Sequence, residues 1–264
     1  MKNKIEKISL WIKEKVDSAG CKGVVFGLSG GLDSAVVATL CSEVFDREQM
    51  LGIIMPCGSQ KEDEEDAHLI ASNLDIKTET FDLGKTYDVL SPACLLRYDN
   101  QLANANLKAR LRMTTLYYFA NTFSYMVVGT GNKTEIMVGY GTKYGDGGVD
   151  IQPIGDLYKT EVFEMARVLG LPEKIINKAP SAGLWKGQTD EKEMGITYEK
   201  LDKILIAFKK YRCYVKPDMS PSTKVTAQMM CVGENIAMED LIKVEKMILK
   251  SQHKREMPPV CIME

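Results

Sequence analysis

Ile5, Ile8, Ile12 and Val16 recur at spacings of three and four residues, the stripe of an amphipathic helix, and Gly20 closes it. Residues 22–28 then form a short apolar run rich in β-branched side chains, as a parallel strand buried on both faces requires. Helical spacing resumes over residues 33–45, with Val36, Val37 and Leu40 inward, and residues 50–55 are a second apolar run stopped by Pro56. Lys61–Asn73 reads as helix again, and residues 76–81 alternate as a third strand. This β-α-β-α-β order predicts a parallel sheet with helices on its faces.

Beyond it the pattern is less regular. Residues 103–123 read as one long helix leading into an apolar strand over 125–128, and helices are expected over 157–169, 198–211 and 239–250. Residues 139–150 hold five glycines in twelve positions and must be loop. Residues 179–195 lack periodicity and are expected to be an exposed, mobile loop; the acidic run 62–66 is expected to be a solvated helix face without a role. With no repeat and no linker, residues 1–264 are expected to be a single α/β domain. Tyr117, Tyr118, Phe119 and Phe123 suit either a dimer interface or core.

Charge and cysteine usage narrow the function classes. Thirty-four basic and 36 acidic residues nearly cancel, which argues against a dedicated nucleic-acid binder. Seven scattered cysteines without a CxxC pair, behind an N-terminus that has no apolar signal segment, read as reduced thiols in a cytoplasmic protein. No apolar stretch approaches the roughly 18 residues of a membrane helix.

The chemistry is concentrated between the first strand and the next helix, where Gly27, Leu28, Ser29, Gly30, Gly31, Leu32, Asp33 and Ser34 spell GLSGGLDS. Glycines let backbone N–H groups approach a phosphate closely, and the following helix turns its positive end toward the anion. Neither GxxxxGK[ST] nor GxGxxG is present, so kinase-type and dinucleotide-fold loops are excluded. The SGGxDS spelling resembles the loop of the ATP pyrophosphatases, which cleave between the α- and β-phosphates and adenylate an acceptor oxygen.

Five further stretches narrow the acceptor. Asn106–Arg110 with Arg112 and Met113 resembles the NxKARxRM stretch of NAD synthetases; Gly129–Glu135 resembles their GTxxxxE turn; residues 142–150 match TKYGDGGxD; residues 179–185 match their mobile loop; and His253–Lys254–Arg255 matches their basic C-terminal element. These matches run in family order from residue 27 to residue 255, and the chain is identified as a member of the ammonia-dependent NAD synthetases.

That resemblance implies an adenine-nucleotide alpha-hydrolase-like (Rossmann-like) fold, a homodimer, and magnesium as cofactor. It implies a ligase of NAD biosynthesis that amidates deamido-NAD with ammonia and ATP through an acyl-adenylate, giving NAD, AMP and pyrophosphate. By residue-wise match, residues Gly27 to Ser34 with Thr130, Lys159 and Ser181 would contact ATP, and Asp33 and Glu135 would hold magnesium. Arg110, Lys143, Asp150, His253 and Lys254 would hold deamido-NAD; Asp33, Lys159 and Asp146 are the catalytic candidates, Asp146 for the ammonium proton. Taken singly, Arg110, Glu135, Lys143, Asp150 and Lys159 would pass as surface charges, and only their flanking motifs lift them above that. No nucleic acid or membrane partner is expected, and no glutaminase domain. Rivals are another ATP pyrophosphatase, such as an RNA-modifying ligase, or a nucleotide sensor without turnover.

Overall fold

The computed structural model describes residues 1–95, 100–185, 187–211, 228–229 and 231–263, of which residues 92–95 are described by backbone alone. Four parallel strands, β1 (Gly23–Gly27), β2 (Met50–Ile54), β3 (Lys77–Thr80) and β4 (Tyr125–Val127), form one sheet in the order β3-β2-β1-β4. The registers place Val24 beside Met50 and Met126, so β1 is hydrogen-bonded on both sides. Alternation along β1 divides the core. Val24 and Phe26 face α1 (Lys2–Ser18), α2 (Leu32–Ser42) and α7 (Lys159–Val168), packing on Ile12, Val36, Leu40 and Val162. Val25 faces the other way, with Ile53 and Val127, against Leu116 and Ala120 of α5 (Gln101–Phe123). Helices therefore cover both faces, which is why β1 and β2 carry buried residues continuously rather than alternately.

A third cluster stands beside the sheet. Leu201, Ile204 and Phe208 of α10 (Tyr198–Lys210) pack on Leu241 and Val244 of α11 (Met238–Lys250) and on Val138 of α6 (Lys133–Val138). This cluster carries the start of α7 toward the sheet, since Thr134 and Thr160 both bond Asp202 of α10.

Several expectations change. The third strand is shorter than 76–81, and only Thr78 within it is half-buried, because β3 is an edge strand with one neighbour. A helix the pattern did not reveal, α4 (Gly84–Leu95), follows it. The acidic run on α3 (Lys61–Asn73) is not a solvated face throughout: Asp66 is fully buried. Residues 179–195 are not an exposed loop throughout, since α9 (Asp190–Met194) forms there with Gln188, Asp190 and Met194 buried. Its polar residues have partners inside, a contribution that apolar periodicity does not register. Lys186 lies outside the described residues.

The strand order fixes where a ligand can sit. The chain moves outward from β1 through β2 to β3, then crosses back to place β4 on the other side of β1. The loops leaving β1 and β4 therefore diverge at their carboxyl ends, the crevice at which open α/β sheets bind ligands.

Candidate active site

The loop from β1 folds on itself through its two serines. The Ser29 and Ser34 hydroxyls lie 3.0 Å apart, Ser34 Oγ donates to the Gly31 carbonyl at 3.0 Å, and Gly31 N–H donates to Ser29 Oγ at 3.2 Å. Gly30 sits at φ +72°, and a Cβ there would meet the Asp63 carbonyl oxygen at 2.2 Å, so only glycine fits. Gly31 begins α2 without a side-chain cap, leaving the first-turn N–H groups at the crevice.

Asp33, in that first turn, meets the loop from β4. Its Oδ1 accepts from Asn132 Nδ2 at 3.1 Å, and its Oδ2 is ion-paired with Lys159 Nζ. Asn132 is fully buried and also caps α6: its Oδ1 accepts the Glu135 N–H at 3.0 Å, and Glu135 Oε2 accepts the Asn132 N–H at 3.4 Å. Thus one asparagine holds both proposed carboxylates in register. Lys159 Nζ lies 3.4 Å from Glu135 Oε1, so a single buried ammonium bridges Asp33 and Glu135.

The lysine is anchored from behind. Thr134 Oγ1 accepts the Lys159 N–H at 2.9 Å and donates to Asp202, whose other oxygen accepts the Thr160 N–H at 2.9 Å. A second layer comes from the segment after residue 179. Tyr198 Oη lies 3.3 Å from Glu135 Oε1 and 2.9 Å from Asp190 Oδ2, while Tyr140 Oη bonds Asp190 and Glu193, each at 2.9 Å.

Electrostatically this is an excess of carboxylate around one cation. Burial pushes the Glu135 carboxyl up to about 7, opposed by Lys159 and reinforced by the negative Asp33 and Asp190. Burial also works against the charge of Lys159, but the carboxylates of Asp33 and Glu135 outweigh it and hold the ammonium well above its usual range. Asp190 is likewise raised by burial.

Of the remaining candidates, four come together, and Asp150, Asp146 and Ser181 have separate partners. Arg110 of α5 donates through Nε and Nη2 to the Lys143 carbonyl at 3.3 Å, Lys143 Nζ bonds the His253 carbonyl, and Lys254 Nζ bonds the Gly139 and Gly141 carbonyls at 2.7 and 2.6 Å. These four residues therefore share one patch, built by α5, the 139–150 loop and the turn after α11. Asp150, at the end of the same loop, accepts from Tyr117 Oη of α5 and from the Val127 N–H, both at 2.8 Å. Asp146 folds back on its own loop, accepting the Thr142 N–H at 2.7 Å. Thr130 lies half-buried in the loop that follows β4. Ser181 Oγ accepts the Gly183 N–H at 3.1 Å, within its own turn.

Asn132, Asp190 and Tyr198 were not singled out from sequence. The N-x-x-E spacing of Asn132 and Glu135 is a capping-box signal that could have found the first. Nothing in the local pattern marks the other two.

Residues 4–258 match the family model described as NAD synthase. The chain is 50% identical over 260 residues to the NH(3)-dependent NAD(+) synthetase of Carboxydothermus hydrogenoformans, covering 97% of this chain and 96% of that protein. Among solved structures, an NMN synthetase from Francisella tularensis superposes with a TM-score of 0.82 at 32% identity, covering 99% of this chain and 98% of that one. The NH3-dependent NAD synthetase of Campylobacter jejuni superposes with a TM-score of 0.77 at 29% identity, with the same coverage of 99% and 98%.

Proposed function

The chain belongs to the NAD synthase family, and from that premise we propose that it converts deamido-NAD, ammonia and ATP to NAD, AMP and pyrophosphate. The observation that carries this reading is the bridge of Lys159 between Asp33 and Glu135, set beneath a phosphate-type loop at the carboxyl ends of β1 and β4.

The reaction must bring a nicotinate carboxylate against a polyphosphate. Two anions repel, so positioning and charge neutralisation dominate the barrier. Loop N–H groups and the N-terminus of α2 receive the phosphates of ATP, and Lys159 offsets charge as pyrophosphate leaves. The nicotinate oxygen attacks the α-phosphorus, the bond to the bridging oxygen breaks, and an acyl-adenylate forms. Ammonia then attacks the acyl carbon, AMP departs with the C–O electron pair, and the excess proton passes to a carboxylate, the role assigned to Asp146. Arg110, Lys143, Asp150, His253 and Lys254 hold the dinucleotide; Thr130 and Ser181 complete the nucleotide contacts.

Asp33 and Glu135 fit a magnesium ion. They are two hard oxygen donors in a cluster whose carboxylates outnumber its one buried cation, and magnesium takes one or two carboxylates together with phosphate oxygens. Bound there, it would neutralise phosphate charge.

We also infer a homodimer located in the cytoplasm. Tyr118 and Phe123 on α5 are 69% and 45% exposed, next to Phe81 at 46%, and Phe119 stacks on Phe123 with its ring edge-on to Phe81. An aromatic surface of this kind suits a self-complementary interface. Among the described residues no helix is long and apolar enough to cross a membrane.

The test is incubation with ATP, magnesium chloride, ammonium chloride and deamido-NAD, followed by chromatography. AMP should form in step with NAD; formation of ADP would end the reading. Nicotinate mononucleotide in place of deamido-NAD should react poorly, and a preference for it would shift the substrate to the mononucleotide.

A further inference from the structure

The underside of the phosphate loop rests on an ion-pair cluster that the reaction does not use. Lys178, immediately before the 179–195 segment, has its Nζ 2.7 Å from Asp66 Oδ2, 2.8 Å from Asp63 Oδ1 and 3.3 Å from the Gly30 carbonyl oxygen. An ammonium has three N–H donors. All three are spent here, so Lys178 in this arrangement is a strut beneath the loop and has no donor left for a phosphate. Asp66 is fully buried and also holds Lys174 Nζ, 2.6 Å from its other oxygen.

Burying a carboxylate is costly unless it is paired, and a paired one seldom adds net stability over an apolar replacement. The arrangement therefore calls for a reason other than stability. Gly30 supplies it. Its backbone is left-handed, and its carbonyl accepts from Lys178, which is itself held by Asp63 and Asp66 of α3. A peptide carbonyl pointing into the crevice would repel a polyphosphate, whereas one fixed on an ammonium leaves the neighbouring N–H groups to face it.

We propose that Lys178, seated on Asp63 and Asp66, is a positioning residue for nucleoside triphosphate. It fixes the peptide at Gly30 and links the phosphate loop to the root of the 179–195 segment. This rests on the assignment of the loop to ATP. Among the described residues the partners of Lys178 are Asp63, Asp66 and Gly30, so it touches neither the deamido-NAD patch nor the Asp33–Glu135 pair.

The test compares two lysines that share Asp66. Lys178→Met removes the strut while keeping its length. Lys174→Met removes the half-exposed partner that does not reach Gly30. Binding of ATP with magnesium chloride is measured by calorimetry on the full chain, with thermal unfolding as a check on the fold. Lys178→Met should weaken ATP binding about tenfold or more, because a small misplacement of a binding element is amplified in affinity. Lys174→Met should stay within about threefold. In turnover the KM for ATP should rise in Lys178→Met while that for deamido-NAD holds, a split that a general loss of packing does not produce. Equal ATP binding by Lys178→Met and wild type would overturn the proposal. So would equal weakening by the two variants, which would assign the effect to Asp66 alone. Because ATP binding is read directly, wild-type chain that binds ATP but makes no NAD would refute the ligase reading while the strut is still decided.

Discussion

The buried Lys159 and the partly buried Asp33, 126 residues apart in the chain, form an ion pair at the junction of the loops leaving β1 and β4. Glu135 joins the same ammonium at 3.4 Å, so two carboxylates share one cation. From this the first prediction follows. Asp33→Asn and Glu135→Gln should each lower kcat by about 100- to 1,000-fold, the usual cost of one oriented electrostatic partner. Near-normal kcat at saturating ATP in either variant would remove that residue from the site.

Asp202 is the hidden support of that lysine. Asp202→Ala leaves the Thr134 hydroxyl and the Thr160 N–H without their buried acceptor. Each orphaned group costs about 1–3 kcal/mol, so a stability loss of about 3 kcal/mol is expected, together with reduced kcat. Denaturant unfolding measures the first; an unchanged midpoint would show that water replaces the carboxylate.

Asp66 predicts a pH signature in stability. Burial pushes its carboxyl up, but hydrogen bonds from Lys174 and Lys178 prevail and hold it below its usual 3.8. A carboxyl depressed in the folded chain stabilises fully above its unfolded value and loses that contribution as pH falls through the folded one. Asp66→Asn should therefore be about 3 kcal/mol less stable near neutrality, as for a broken buried pair, and the gap should close below about pH 4. A gap that stays constant into acid would mean that the charge is not its source.

The nitrogen donor gives a fourth test. Ammonia has the lone pair and ammonium does not, so at fixed, subsaturating total ammonium the rate should rise with pH through the mildly alkaline range. Purified chain supplied with ammonium chloride should make NAD, and with ammonia-free glutamine it should not. Comparable rates with both donors would reveal a glutaminase activity.

Within the 179–195 segment the fold sets a narrower expectation than the pattern did. Lys192 lies in α9, whose Asp190 is tied to Tyr140 and Tyr198. Trypsin should cut after Lys192 only when those bonds open, so Tyr198→Phe should speed that cleavage. Equal rates would show that Asp190 does not hold the segment.

The local grammar of the chain was decided by sequence. Apolar runs at β1 and β2, helical stripes at α1 and α2, and the glycines and serines of residues 27–34 each specify their conformation through neighbours within a few residues. The order of those elements then places the phosphate-type loop at a strand's carboxyl end, so the ATP chemistry was legible without coordinates. Tertiary structure alone decided which charges meet. Glu135 and Lys159 read singly as surface residues, yet they converge on Asp33 of the phosphate-type loop because β4 crosses to the far side of β1. Asp66 sits in an acidic run that looks solvated, and it is buried because Lys174 and Lys178 arrive from a distant helix and loop to neutralise it. Hydrophobic periodicity records what a residue does to its own element. A buried charge is set by partners a hundred residues away, and no local pattern carries that information.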